Sequence, residues 1–409
     1  MWVCWPWFGQ NTGLLGGFFL AFGWCATAVF VNNRFVAGID GLLTAFYGIY
    51  MLLSFFLTGR TYGDYELYYH VSMVTLFFLP YYMARFYFKR NETKFLGKIA
   101  IVAMVCMFVG CLTSIYYTAI DENIMKTISQ SLDTEFLEYR KAGIGSFGFI
   151  YMLMFCIISF AGLFKAKLLP RGKWTKLLLI IFCAVGVKCL IDSTFTTAIL
   201  LLFLGLLFVF VTFMDKTLKK VNWLVYVFLF LMSLVLSSLI GNFLSTIQVE
   251  SADVTVRLNE IGRLLMGEEG GENVISRLEY FMKSVNCALE YPLLGYNFAM
   301  NPQIRVGGHS EWIDILGIYG LIGGIPLIAT VIIKLKNTLA ITRKIKYPFF
   351  GILIFVFVIY GFVDPFLRLY HLGFVMFLLI PCFGCLPEVL RKKEEIGEEV
   401  MLEKGGEAQ

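Results

Sequence analysis

Charged residues are scarce in this chain. Of its 409 residues, 58% are hydrophobic and 15% are charged, against about 25% charged in a typical soluble domain. The chain has too few charged residues to cover the surface of a soluble globular protein. This excludes a soluble enzyme, a secreted disulfide scaffold and a disordered chain. The apolar runs continue for about 20 residues, the length with which an α-helix crosses a bilayer, whereas barrel strands alternate over about 10 residues. The sequence predicts an all-α, polytopic membrane protein.

Metal-binding patterns are also missing. The three histidines, His70, His309 and His371, stand far apart in the sequence, and no HxxH or HExxH spacing indicates zinc. Cys382 and Cys385 form a CxxC without partner ligands around it, and most cysteines lie in apolar runs as small hydrophobic residues. The net charge of +5 does not indicate nucleic-acid binding. We expect no metal site and no nucleic-acid partner.

Apolar runs bounded by charge predict about eleven membrane spans. Lys and Arg are unevenly shared between the two alternating sets of loops, with 23 in one set and ten in the other, so the richer set is predicted to be cytoplasmic. The predicted spans are residues 14–31, 36–57, 66–84, 95–117, 143–164, 177–192, 194–214, 221–244, 311–333, 348–363 and 372–387.

This topology divides the chain into four parts. Residues 1–244 hold transmembrane helices 1–8, and residues 245–310 form a large extra-cytoplasmic loop. Residues 311–387 hold helices 9–11, and residues 388–409 form a cytoplasmic tail. Within the loop, apolar residues from Val274 to Leu289 recur at helical spacing. They predict an amphipathic helix with Asn273 as its N-cap, which ends before Pro292 and Gly295.

Charged residues within a span are costly, and Lys188 and Asp192 in the sixth span are such a pair. Their spacing of four places both on one helix face. Two interpretations stay open: an ion pair that stabilises the end of the helix, or a charged lining beneath an outward-facing cavity.

The outer segments hold the candidates for anion binding and proton transfer. Arginine presents a planar fork of donors that suits phosphate oxygens, and Arg277 and Arg305 flank the Pro292–Gly295 turn on the way to His309. A neutral imidazole can accept a proton from a hydroxyl, although a structural hydrogen-bonding role for His309 stays open. His371 follows Asp364, Arg368 and Tyr370, and we expect this group to line the same outward-facing opening as His309.

Four motifs follow one another within residues 275–325. They are Arg277-Leu278-Glu279-Tyr280-Phe281, Tyr291-Pro292-Leu293-Leu294-Gly295-Tyr296, Gly308-His309-Ser310 and Ile315-Leu316-Gly317-Ile318-Tyr319-Gly320-Leu321-Ile322-Gly323. This order of an Arg-led helix, a Pro-x-x-Gly turn, a His followed by Asn or Ser, and a span with Gly-x-x-Gly resembles the O-antigen polymerase and ligase superfamily. Outside this region the similarity is in hydropathy alone.

The resemblance implies a membrane glycosyltransferase that moves a growing glycan from a polyprenyl-pyrophosphate carrier to the hydroxyl of a lipid-linked repeat unit. It implies no metal or nucleotide cofactor, since arginines can stabilise the leaving pyrophosphate. Arg277 would clamp the pyrophosphate, His309 would orient or deprotonate the acceptor, and Glu311 or Asp314 would fix the His309 tautomer. The other residues expected to bind substrate are Arg257, Arg263, Arg305, Lys188, Arg368 and His371.

One departure from the family pattern concerns a second cation. Many members carry a Ser-Arg or Thr-Arg pair near the outer start of a mid-chain span, and that Arg helps to hold the lipid pyrophosphate. The corresponding stretch here reads Asp192-Ser193-Thr194-Phe195-Thr196-Thr197, without Arg. We hypothesise that Lys188 supplies the charge.

Three functions stay open from the sequence. The leading one is a repeat-unit polymerase for capsule, O-antigen or exopolysaccharide in a bacterial inner membrane, with a chain-length regulator and a flippase as partners. The second is a ligase that transfers a finished glycan to a lipid or cell-surface acceptor. The third is a transporter or flippase for lipid-linked sugars, which would concentrate polar groups near the bilayer midplane.

Overall fold

In the computed structural model of the protein, the regular secondary structure among the described residues is all helical. The described residues are 1–32, 36–59, 67–130, 137–169, 173–214, 272–299, 302–347 and 349–390, with a few isolated positions between 246 and 263.

The helices follow the apolar runs of the sequence, which is the expected result where lipid leaves no water to bond an unpaired backbone. Their bounds are α1 Pro6–Val31, α2 Ile39–Thr58, α3 Leu67–Lys89, α4 Thr93–Thr118, α5 Ile124–Gln130, α6 Leu137–Lys141, α7 Phe147–Lys165, α8 Lys173–Asp192, α9 Thr196–Met214, α10 Glu272–Glu290, α11 Glu311–Lys344, α12 Phe350–Val363 and α13 Tyr370–Gly384, which includes the π-helical turn Val375–Leu379.

Six of these helices, α1, α2, α4, α7, α8 and α11, are long and apolar enough to cross a membrane, and shorter apolar helices occur at Thr196–Val211, Phe350–Val363 and Tyr370–Gly384. The prediction of an all-α, multi-pass membrane protein is therefore confirmed at that level. The predicted span 66–84 coincides with α3, which is not among the six. The predicted span 221–244 lies outside the described residues.

Helix α7 occupies the centre of the bundle. It is apolar on all sides and buried over nearly its whole length, as expected of a helix surrounded by other helices. It packs against α8, α9, α12 and α13. Helices α1, α2 and α8, in contrast, expose many large apolar side chains, the pattern of surfaces that face lipid.

Helix α10 packs beside the first turns of α11 and runs in the same direction. The Ser284 hydroxyl donates to Asp314 Oδ1 at 2.5 Å, and one turn later the Cys287 thiol donates to the Gly317 carbonyl at 3.7 Å. The helix predicted from Val274 to Leu289 is confirmed, but it begins at Glu272, so Asn273 lies inside the helix and is not its cap.

Helix α11 is interrupted at Gly320, where the turn that follows α10 comes against it. Gly320 has φ 61° and ψ −168°, and Gly295 in the turn has φ 78°. The Leu321 amide donates to the Pro292 carbonyl at 2.8 Å, and the Ile322 amide donates to the Leu293 carbonyl at 3.0 Å. The Pro-x-x-Gly turn and the Gly-x-x-Gly of the span therefore form one interlocked unit.

The other end of α11 is joined to α2 and α3 by buried polar groups. The Arg85 guanidinium donates to both carboxylate oxygens of Asp40, at 2.9 and 3.0 Å. Nearby, the buried Lys334 ammonium donates to the Tyr82 hydroxyl at 2.8 Å and lies 4.4 Å from the centre of the Tyr81 ring. These contacts join the second half of α11 to α3, and α3 to the start of α2.

Candidate functional site

A cavity of about 760 Å³ collects residues that are far apart in sequence. Its wall is built from α1, α5, the first turns of α7 and α9, helix α10, the segment before α11 and the segment before α13. The lining residues used below are Gln10, Lys126, Tyr151, Thr196, Thr197, Arg277, His309, Asp364, Arg368 and His371.

Arg277 projects from α10 towards the start of α9. Its Nη1 lies 3.5 Å from the Thr197 hydroxyl oxygen. Beside it, the buried Thr196 hydroxyl has no hydrogen-bond partner among the described residues. The guanidinium of Arg277, in the wall of the cavity, provides donors for an anionic oxygen.

His309 lies opposite a carboxylate. Its Nδ1 is 3.9 Å from Asp364 Oδ1, too far for a hydrogen bond, and among the described residues no other group bonds to this nitrogen. Its ring lies against the ring of Tyr280, with centroids 4.9 Å apart. Asp364 is in turn oriented by the Tyr151 hydroxyl, which donates to Oδ2 at 3.2 Å. An imidazole that gained a proton here would face a negative charge.

Glu311 and Asp314 are fully buried and bind backbone groups. The Leu367 amide donates to Glu311 Oε2 at 3.0 Å, and the Ser310 amide donates to Asp314 Oδ2 at 3.2 Å. Glu311 therefore holds the segment that carries Arg368 against α11. Asp314 holds the segment that carries His309 against the same helix. The carboxylate that faces His309 in the described structure is Asp364.

Arg368 and His371 both lie in the cavity wall, as does Asp364. The Arg368 Nη2 lies close to Gly308, 3.6 Å from where a methyl group on that glycine would be. The His371 ring stacks on the neighbouring Tyr370 ring at 4.2 Å. The segment before α13 thus brings a second arginine next to the segment that carries His309.

Lys188 forms an ion pair with Asp192, with Nζ 2.5 Å from Oδ1, and its side chain is 61% exposed. This geometry is that of a helix-end ion pair, and the described cavity wall includes neither residue. Arg305 and Arg263 are exposed and also lie outside the described wall. Arg257 is outside the described residues.

Several lining residues were not identified from the sequence. Tyr151 lies in an apolar span and gives no sequence signal, and Gln10 and Lys126 belong to segments that carry no motif. The Oε1 atom of Gln10 is buried and has no hydrogen-bond partner in the described part of the chain. Thr196 and Thr197 were visible as a polar stretch after a span, which is the one signal that pointed to them.

The charges of the wall favour an anionic ligand. Among the described lining residues, Arg277, Arg368 and Lys126 supply three cations against the single carboxylate of Asp364. Across the described residues, no group of three or more His, Cys, Asp or Glu side chains could hold a metal ion. A comparison with protein-family models finds no match. A comparison with curated proteins also finds no match.

Proposed function

We propose that the protein is a membrane glycosyltransferase that polymerises polyprenyl-pyrophosphate-linked oligosaccharide repeat units into a surface polysaccharide. The observation that carries the proposal is the convergence of Arg277, Arg368 and His309 on one cavity. A pyrophosphate leaving group needs cations and an attacking hydroxyl needs a base, and this cavity contains both.

In the proposed reaction the acceptor hydroxyl oxygen attacks the anomeric carbon of the donor glycan, and the bond from that carbon to the pyrophosphate oxygen breaks. The bonding electron pair leaves with the pyrophosphate, where Arg277 and Arg368 stabilise the added charge. The hydroxyl proton passes to Nε2 of His309, since Nδ1 faces Asp364. Asp364 then stabilises the imidazolium, as a carboxylate does for a general base elsewhere.

Arg368 takes the role that the sequence had suggested for Lys188. The ion pair with Asp192 compensates the Lys188 charge, whereas Arg368 lies in the wall with Arg277. The missing Ser-Arg or Thr-Arg pair is then replaced by an arginine from the segment before the last helix.

The proposed topology has eleven spans in a bacterial inner membrane, with the cavity outside and the C-terminus in the cytoplasm. It is supported by the origin of the lining residues, all of which come from ends or loops that the Lys and Arg bias assigns to the outer face. A chain-length regulator and a flippase are the proposed partners, and no cofactor is proposed.

The function is tested in the organism that makes the glycan. A deletion strain that accumulates single lipid-linked repeat units has lost a polymerase, whereas long lipid-linked chains indicate a lost ligase. In that strain His309→Ala and Arg277→Ala, produced at the native level, are expected to abolish long polymer. The control Arg263→Ala changes an exposed arginine outside the described wall and is expected to restore it. Normal polymer from His309→Ala would disprove the proposed base.

A further inference from the structure

The turn that follows α10 has its backbone carbonyls bonded to other parts of the protein. Three successive carbonyls at its tip each accept a bond from another part of the protein. The Pro292 and Leu293 carbonyls accept from the Leu321 and Ile322 amides at 2.8 and 3.0 Å, and the Leu294 carbonyl accepts from the Tyr50 hydroxyl at 3.0 Å, a donor that it shares with the Tyr319 carbonyl. A turn in water has no need of such partners, because water bonds its carbonyls.

The side chains of the same turn are apolar and exposed. Leu293 is 62% exposed and Leu294 is 45% exposed. They lie next to Leu321 and Ile322 of α11, which are themselves exposed. Tyr50 belongs to α2, whose neighbouring Ile49 and Leu53 are also exposed. The turn therefore continues the apolar surface of two helices that are each long and apolar enough to cross the membrane.

We propose that the turn Tyr291–Gly295 is a re-entrant tip that inserts into the hydrocarbon of the bilayer. Non-helical backbone is tolerated at membrane depth where it is buried against protein, and in this turn the carbonyls from Tyr291 to Leu294 each accept a hydrogen bond from a protein group. Moving the exposed leucines of this turn from water into lipid lowers the free energy, as it does for the apolar side chains of the spanning helices.

The insertion gives α10 a fixed position relative to the membrane. The helix descends beside α11 to the tip, and the chain returns to Gly307, whose amide donates to the Ser284 hydroxyl oxygen at 2.9 Å. Arg277 and His309 stand at the upper end of this hairpin. Its tip therefore anchors both to the bilayer, and part of the segment predicted as a soluble loop becomes a membrane-embedded hairpin.

The experiment compares Leu293→Cys with Glu279→Cys, an exposed position on the polar side of α10. Both variants are reconstituted into lipid nanodiscs, which leave the two membrane faces open to reagent and make the result independent of orientation. Reaction with a charged maleimide is followed over time, with the native protein as the baseline for its ten cysteines. A fluorescent label at each position, attached before reconstitution, is then tested for quenching by brominated lipid.

We expect Leu293→Cys to react at least about tenfold more slowly than Glu279→Cys, because a charged reagent does not enter hydrocarbon. We also expect lipid quenching as strong as that of a label at Leu321→Cys. Leu294→Cys provides a second variant with the same expectation. Fast reaction at both tip positions would overturn the proposal, and so would slow reaction without lipid quenching, since protein would then cover the tip.

Discussion

Replacing Gly320 by Ala tests the interlock between the turn and α11. Gly320 has φ 61° and ψ −168°, a region that essentially only glycine adopts, where a side chain costs about 1–3 kcal/mol. The added methyl would also lie 2.3 Å from the carbonyl carbon and oxygen of Leu293. These are backbone atoms that cannot rotate away, so the turn has to move.

The movement breaks the two hydrogen bonds from Leu321 and Ile322 to the turn. Each contributes about 1 kcal/mol net, and more where the separated groups remain buried. Together with the strain, we expect Gly320→Ala to lower the free energy of unfolding by about 3–5 kcal/mol. Because the turn ends the helix that carries Arg277, we also expect reduced polymer formation.

The assay is thermal unfolding of purified protein in detergent, and the matched control is Gly48→Ala. Gly48 lies in the middle of α2, and among the described residues outside that helix no atom lies within 4 Å of a methyl group at that position. Alanine is about 1 kcal/mol more favourable than glycine inside a helix, so Gly48→Ala is expected to leave Tm unchanged or to raise it. Equal Tm values for Gly320→Ala and Gly48→Ala would refute the argument from backbone geometry.

Four further substitutions test the site and the polar contacts between α2 and α3. Arg368→Ala is expected to abolish long polymer, while Lys188→Ala is expected to leave polymer length unchanged. The reverse result would show that Lys188, and not Arg368, is the second cation that acts with Arg277. Asp364→Asn is expected to slow chain extension by about 10- to 100-fold, which is less than the about 10²- to 10⁴-fold that a general base itself supplies; an unchanged rate in isolated membranes would remove Asp364 from the mechanism. Asp40→Ala removes the carboxylate that pairs with the half-buried Arg85; the lost hydrogen bonds to a charged group cost about 1.5–3 kcal/mol, and a Tm equal to that of the native protein would contradict this.

The amino-acid sequence by itself determined the class of the protein and the position of most helices. Scarce charge and continuous apolar runs leave helices as the structure that satisfies the backbone in lipid, and the spacing of apolar residues before Pro292 located α10. The sequence also identified Arg277, His309, Arg368 and His371 as polar groups at predicted outer ends, because such groups are rare beside lipid and therefore stand out.

Only the tertiary structure decided which of these groups meet. Arg277 and Thr197 are 80 positions apart in sequence, and their contact depends on how α9 and α10 pack. Asp364 rather than Glu311 or Asp314 faces His309, because the two acids of α11 are bonded to backbone amides. Neighbours in sequence share a helix, but a cavity wall is formed by helix ends that packing brings together, and hydropathy carries no information about that arrangement.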